Sequence, residues 1–174
     1  MNRRTRLFSI FLHGLLLLVV YVFQSLIFPY MRLAGLVPLL LPIVATGVAI
    51  YEGRYAGGTF GLVAGILCDV SFNEPAGVFT VLLTLTGLVI GTLADTIITR
   101  GFVMYFISCA VVLSVAAFVQ MFPLLFFDNV PFAPLLTTAL WQTVYSIVFT
   151  VPIWFFVRAL GKRAQRISPA GRPL

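Results

Sequence analysis

Charged side chains are scarce in this chain. Asp, Glu, Lys and Arg together make up 9% of its 174 residues, whereas a soluble domain carries about 25%. A fold of this length could not cover its surface in water with so few polar groups, so the composition excludes an ordinary soluble domain. Cysteine is nearly absent: Cys68 and Cys109 are the only two. Both sit in apolar runs, which excludes a disulfide framework and reads them as small buried apolar residues. Histidine occurs once, at His13. A catalytic base needs a neighbouring nucleophile or acid, and the sequence offers His13 none, so it reads as a packing or interface residue. No metal-ligand spacing, no acidic cluster for magnesium and diphosphate and no nucleophile elbow occurs. An enzyme is therefore not expected, and neither is a cofactor or a metal.

Long apolar runs are what the sequence does have. Hydrophobic residues make up 61% of it. In lipid every backbone N–H and C=O must be satisfied internally, so such runs mean helices or a closed barrel. Barrel strands alternate in polarity over roughly ten residues, and no such alternation occurs. The expected fold is all-α, a polytopic membrane protein in a single transmembrane domain over residues 1–174. Spanning helices are predicted near 7–28, 36–51, 55–71, 76–97, 102–126 and 134–158, six in all, on the rule of about 20 apolar residues per crossing. The first run is too long for a signal peptide and no cleavage site follows it, so it reads as a retained helix.

Pro29-Tyr30, Asn73-Glu74-Pro75, Arg100-Gly101 and Asp128-Asn129-Val130-Pro131 punctuate the runs. Pro75 suits a first helical turn, with Asn73 or Glu74 as its cap. Pro152 is placed to kink the last helix.

The net charge is +6, and the basic residues crowd both ends. With the N-terminus inside, the inner segments hold Arg3, Arg4, Arg6, Arg54, Arg100, Arg158, Lys162, Arg163, Arg166 and Arg172, and the outer ones hold only Arg32. This asymmetry places both termini in the cytoplasm. It also argues for an even number of crossings and for contact with anionic membrane lipids rather than nucleic acid. Tyr51, Tyr55 and Trp154 suit the inner aromatic belt, and Tyr30 the outer.

Three patterns stand out as candidate sites. Gly53, Gly57, Gly61, Gly65 and Asp69 recur every fourth residue, which makes one helical ridge of small residues leading to a carboxylate. Such a ridge admits a second helix at close range, either inside the bundle or on another protein. Asp69 lies near a helix C-terminus, where the macrodipole disfavours an anion. It is either a functional carboxylate in the membrane or an interface residue accepting backbone N–H groups of the following loop. The run Gly61-Leu-Val-Ala-Gly65-Ile-Leu-Cys-Asp69 is echoed by Gly87-Leu-Val-Ile-Gly91-Thr-Leu-Ala-Asp95. The echo covers one helix each, so chance reuse of small and apolar residues accounts for it better than an inverted repeat. Finally, Thr138, Gln142, Ser146 and Thr150 form a polar stripe on the last helix, able to bond to other helices or to line a hydrophilic ligand cavity.

The run Tyr55-Ala-Gly57-Gly58-Thr-Phe-Gly61-Leu-Val-Ala-Gly65-Ile-Leu-Cys-Asp69, followed by Pro75-Ala-Gly77, resembles the rod-shape-determining MreD family. In that family a glycine-rich helix ends in aspartate and a short glycine-containing loop follows. The resemblance extends to length, helix count and the basic C-terminal end. It departs at Pro38-Leu39, where family members often have Pro-Asp, so no acidic role is carried over there. The resemblance implies a non-catalytic scaffold of the bacterial cell-elongation machinery in the cytoplasmic membrane. Its partners would be an MreC-like protein and, with it, the actin-like MreB, a RodA-like glycosyltransferase and a class B penicillin-binding transpeptidase. The implied fold is similar to the S-components of energy-coupling-factor vitamin transporters. A vitamin-binding S-component is itself the alternative reading. Those proteins carry an Ala-x-x-x-Ala docking motif on the first helix, and Phe8–Leu18 lacks it. Gly57, Gly61, Gly65, Asp69 and Gly77 are the expected packing or partner-interface residues.

Overall fold

The computed structural model describes residues 3–26, 37–72, 77–96, 101–127 and 132–166. Among them are seven helices and no strand: α1 Arg3–Leu26, α2 Leu41–Glu52, α3 Arg54–Phe72, α4 Val78–Thr96, α5 Phe102–Phe127, α6 Phe132–Val148 and α7 Thr150–Arg166. Three stretches are long and apolar enough to cross a membrane, Phe8–Leu26, Val78–Thr96 and Phe102–Gln120, and α6 with α7 passes as a bent fourth. The chain is thus a polytopic all-α membrane protein. Pro29-Tyr30, Arg32, Asn73-Glu74-Pro75, Arg100, Asp128–Pro131 and Arg172, to which turn, cap or topology roles are assigned above, lie outside the described residues.

Two elements differ from expectation. The helix predicted over 36–51 begins only at Leu41, and residues 37–40 run non-helically into it. Two prolines account for this. Pro38 biases Val37 toward extended backbone, and Pro42 sits in the first turn of α2, where its missing N–H is harmless. The helix predicted over 134–158 is broken in two at Phe149, with a bend of 43°. Pro152 cannot donate to the Val148 carbonyl four residues back. The chain tightens there, with the Phe149 N–H donating to Ser146 at 3.1 Å.

The central element is α2. Every residue from Leu41 to Ile50 is buried, as expected of a helix that is apolar all round. It packs against α1, α3, α4, α5 and α7. Gly47 marks its closest approaches, since a Cβ there would lie 3.2 Å from Tyr105 of α5 and 3.2 Å from Val157 of α7. The Tyr105 side chain is fully buried and its hydroxyl donates to the Ile43 carbonyl at 3.3 Å. Cys68 and Cys109 are both free and buried in the core.

Candidate functional site: a glycine seam and a polar clamp

The glycines of α3 lie against α4, and this is the most extensive helix contact in the molecule. A Cβ on Gly57 would sit 2.6 Å from the Gly87 carbonyl oxygen. On Gly61 it would overlap the Leu83 carbonyl, and on Gly65 it would sit 2.7 Å from that of Phe79. The contacts step four residues forward on α3 and four back on α4, so the helices are antiparallel and in register. The obstructing atoms are backbone, which cannot rotate away. Lipid gives no hydrophobic drive for association, so this close approach supplies van der Waals contact instead.

Both ends of the seam are closed by an aspartate. The Asp69 carboxylate accepts from the backbone N–H groups of Gly77 at 3.1 Å, Phe79 at 2.9 Å and Thr80 at 3.1 Å, and from the Thr80 hydroxyl at 2.6 Å. It therefore caps α4, placing its charge at the positive end of that helix's dipole. The adverse position at the end of its own helix is offset by the favourable one at the start of the next. Gly77 is part of this turn: its φ is +100°, a value glycine adopts without strain. At the other end, Asp95 accepts from the Arg54 N–H at 3.3 Å. Gly53, with φ +84°, leaves room there, since a Cβ would lie 2.8 Å from the Asp95 carboxylate. Gly61, Gly65 and Asp69 map onto Gly87, Gly91 and Asp95 by one offset of 26 (87 − 61, 91 − 65 and 95 − 69). The echo thus has a structural counterpart: each helix contributes glycines to one seam and an aspartate that caps its partner.

The polar stripe of the last span divides among three roles. Gln142 donates from Nε2 to the Val37 carbonyl at 3.1 Å and to Gln120 Oε1 at 3.1 Å. The Ser146 hydroxyl accepts from the Leu39 N–H at 3.0 Å. Thr138 bonds only within its own helix, to Pro134 at 2.8 Å. Thr150 is buried and its hydroxyl has no partner among the described residues. From the opposite side Gln24 of α1, itself buried, accepts from the Leu40 and Leu41 N–H groups at 2.9 and 3.2 Å. The stripe and Gln24 thus clamp the non-helical lead into α2, whose backbone would otherwise be unsatisfied away from water. Gln24 and Gln120 escaped the sequence reading because each is a lone amide in an apolar run.

A third cluster corrects the reading of His13. The structure brings both a hydroxyl and an acid to it. Ser9 Oγ donates to Glu52 Oε1 at the end of α2, and His13 Nδ1 lies 3.4 Å from Ser9 Oγ and 3.8 Å from Glu52 Oε1. Nδ1 is also 2.9 Å from the Ser9 carbonyl, which can only accept, so Nδ1 carries the proton. The other nitrogen, Nε2, is buried without a partner, and the ring meets Phe60 edge-on at 6.4 Å. The hydroxyl is directed to the carboxylate and not to an imidazole lone pair, so this is a bridge from α1 to α2 and not a nucleophile with its base. The spacing of Ser9 and His13, one turn apart, was a visible signal. Among the described residues no group of three or more His, Cys, Asp or Glu could hold a metal.

Residues 4–164 match the family described as rod shape-determining protein MreD. The chain belongs to the MreD family. Neither a curated protein nor a solved structure shows significant similarity to it. Membership ties the protein to rod-shape determination and to a family of shape-determining rather than enzymatic proteins. It also sets the seam in context: the glycine helix with its terminal aspartate, on which the resemblance rests, is here a device that joins two neighbouring helices.

Proposed function

We propose that this MreD-family protein is a non-catalytic scaffold of the bacterial cell-elongation machinery. It binds an MreC-like protein and helps organise peptidoglycan synthesis, in company with MreB, a RodA-like glycosyltransferase and a class B penicillin-binding transpeptidase. The observation that carries this reading is the family match over residues 4–164. The internal use of the polar groups supports it. Gln142 and Ser146 are occupied with the backbone of 37–40, which weighs against a vitamin-binding S-component. Because the faces of Gly57, Gly61 and Gly65 are filled by α4, a partner helix would meet the outward apolar faces instead, such as Phe11, Leu15 and Leu18 of α1 or Leu85 and Val89 of α4.

The chain is read as one domain with six crossings, both termini cytoplasmic, in the inner membrane and with a fold similar to the S-components. Leu40 already has helical dihedrals, so three residues at no more than about 3.3 Å and thirteen at about 1.5 Å reach at most about 29 Å, and 37–52 comes close to a hydrocarbon core of about 30 Å. The 19 residues of α3 span about 28 Å on the same rise. Two experiments test the reading. The protein should co-purify with an MreC-like protein, and its depletion should turn rods into spheres. Stoichiometric co-purification of a vitamin, with normal rods after depletion, would refute the proposal. Cysteines near positions 30, 74 and 129 should label from outside intact cells, and those near 3, 100 and 165 should not; the reverse pattern would overturn the topology.

A further inference from the structure

Two breaks in regular helix lie against each other. One is the lead into α2 over residues 37–40, and the other is the joint between α6 and α7 at Phe149. Hydrogen bonds tie them together: Gln142 of α6 donates to the Val37 carbonyl, and Ser146 accepts from the Leu39 N–H. Thr150 stands four residues past Ser146, at the start of α7, and is fully buried. Helix α1 completes the junction. It packs on both α2 and α7, and its Gln24 accepts from the Leu40 and Leu41 N–H groups.

The junction holds more hydrogen-bonding groups than it satisfies. Gln24 uses its Oε1 on the lead into α2, while its Nε2, with two protons to give, is buried without a partner among the described residues. The Thr150 hydroxyl is in the same condition. A threonine in a helix commonly bonds the carbonyl four residues back, here that of Ser146, but the tightened turn brings the Phe149 N–H onto that oxygen at 3.1 Å. Pro152 also deprives the Val148 carbonyl of its helical donor. Gln24 is 2% exposed and Thr150 0%, so bulk solvent serves neither, and a buried amide or hydroxyl left unpaired is costly. The unmet groups are few, and together they both donate and accept. Neither they nor the side chains bonded to the two breaks are charged, so an ion finds no counter-charge. Such a set suits water, which makes about three hydrogen bonds when buried, and it is too small to recognise a larger molecule. We propose that this junction binds internal water, held by Gln24 Nε2 and the Thr150 hydroxyl. The water completes the bond network that joins the bend of α6 on α7 to the lead into α2.

The sign of one substitution tests this on the full-length protein in detergent. Thr150→Val keeps the shape and removes the hydroxyl. If that hydroxyl holds a water, the thermal midpoint should fall by about 2–4 °C, the shift of one lost internal hydrogen bond in a chain of this size. If the site is dry, the variant loses only an unpaired group, and the midpoint should stay or rise. A second readout needs no variant. X-ray hydroxyl-radical footprinting oxidises side chains beside trapped water even where bulk solvent does not reach. Leu39 and Leu41 border the junction and are 1% and 0% exposed; Leu83 and Leu113, both 1% exposed, lie elsewhere in the core. The first pair should be oxidised more than the second, and Thr150→Val should reduce the difference. Native mass spectrometry of the same preparation should show no stoichiometric organic ligand. An unchanged or raised midpoint in Thr150→Val, equal oxidation of the two leucine pairs, or an organic molecule retained at the junction and lost in Thr150→Val would each overturn the proposal.

Discussion

The α3–α4 seam and the entry to α2 solve one problem by opposite means. At the seam two regular helices approach until only hydrogen fits between their backbones, at Gly57, Gly61, Gly65 and Gly87. Side chains contribute little except at the two ends. At the entry to α2 the backbone is irregular, and side chains contribute nearly everything: Gln24, Gln142 and Ser146 supply the partners that helical geometry would have supplied. The seam depends on the absence of atoms, whereas the clamp depends on the presence of particular ones. The seam should therefore fail sharply when volume is added and the clamp gradually when a single bond is removed.

Gly87→Leu should give the largest effect. A Cβ there overlaps the Gly57 carbonyl, and overpacking a tight core costs about 1–3 kcal/mol even where side chains can yield. The purified variant should unfold earlier in a denaturing-detergent titration or fail to accumulate. Asp69→Ala comes next. Losing a cap costs about 0.5–2 kcal/mol, and this one serves three N–H groups and a hydroxyl, which puts it at the upper end. Asp69→Asn should recover part of the loss, and Asp95→Ala, with one long bond on an exposed residue, should cost less than either. In the clamp, Gln24→Leu strips two backbone N–H groups of their acceptor, and Gln142→Leu strips one backbone carbonyl and the Gln120 side chain, which can turn to another partner, of their donor. Hydrogen bonds between membrane helices average about 0.6 kcal/mol, so both should fall below Asp69→Ala, with Gln24→Leu the larger. A Gln142→Leu cost above that of Gly87→Leu would reverse the contrast.

How far the sequence disclosed these regions follows from their chemistry. A seam built on one residue type at one spacing writes itself into a single helix, so Gly57, Gly61, Gly65 and Asp69 stood out. What the spacing did not disclose was the occupant, because antiparallel pairing relates α3 to α4 by contacts that run backwards along the chain. The match of Gly87, Gly91 and Asp95 therefore passed for coincidence. The clamp was half legible. Gln142 and Ser146 formed a visible stripe, but their purpose depended on residues 37–40 being non-helical, and those sit in an apolar run that reads as ordinary helix. Ser9, His13 and Glu52 meet only because α1 and α2 lie side by side, a long-range fact that local pattern does not carry.

The double substitution Gly61→Leu with Gly65→Leu tests most directly the claim that the seam is internal. Membrane accumulation and co-purification of the MreC-like partner should be measured on the same preparation. Leucine favours membrane insertion, so any loss must come from packing. If α4 fills the ridge, the variant should fail to accumulate as a monodisperse protein. A variant that accumulates normally and loses only its partner would show that the ridge belongs to another chain and that the packing described here is wrong.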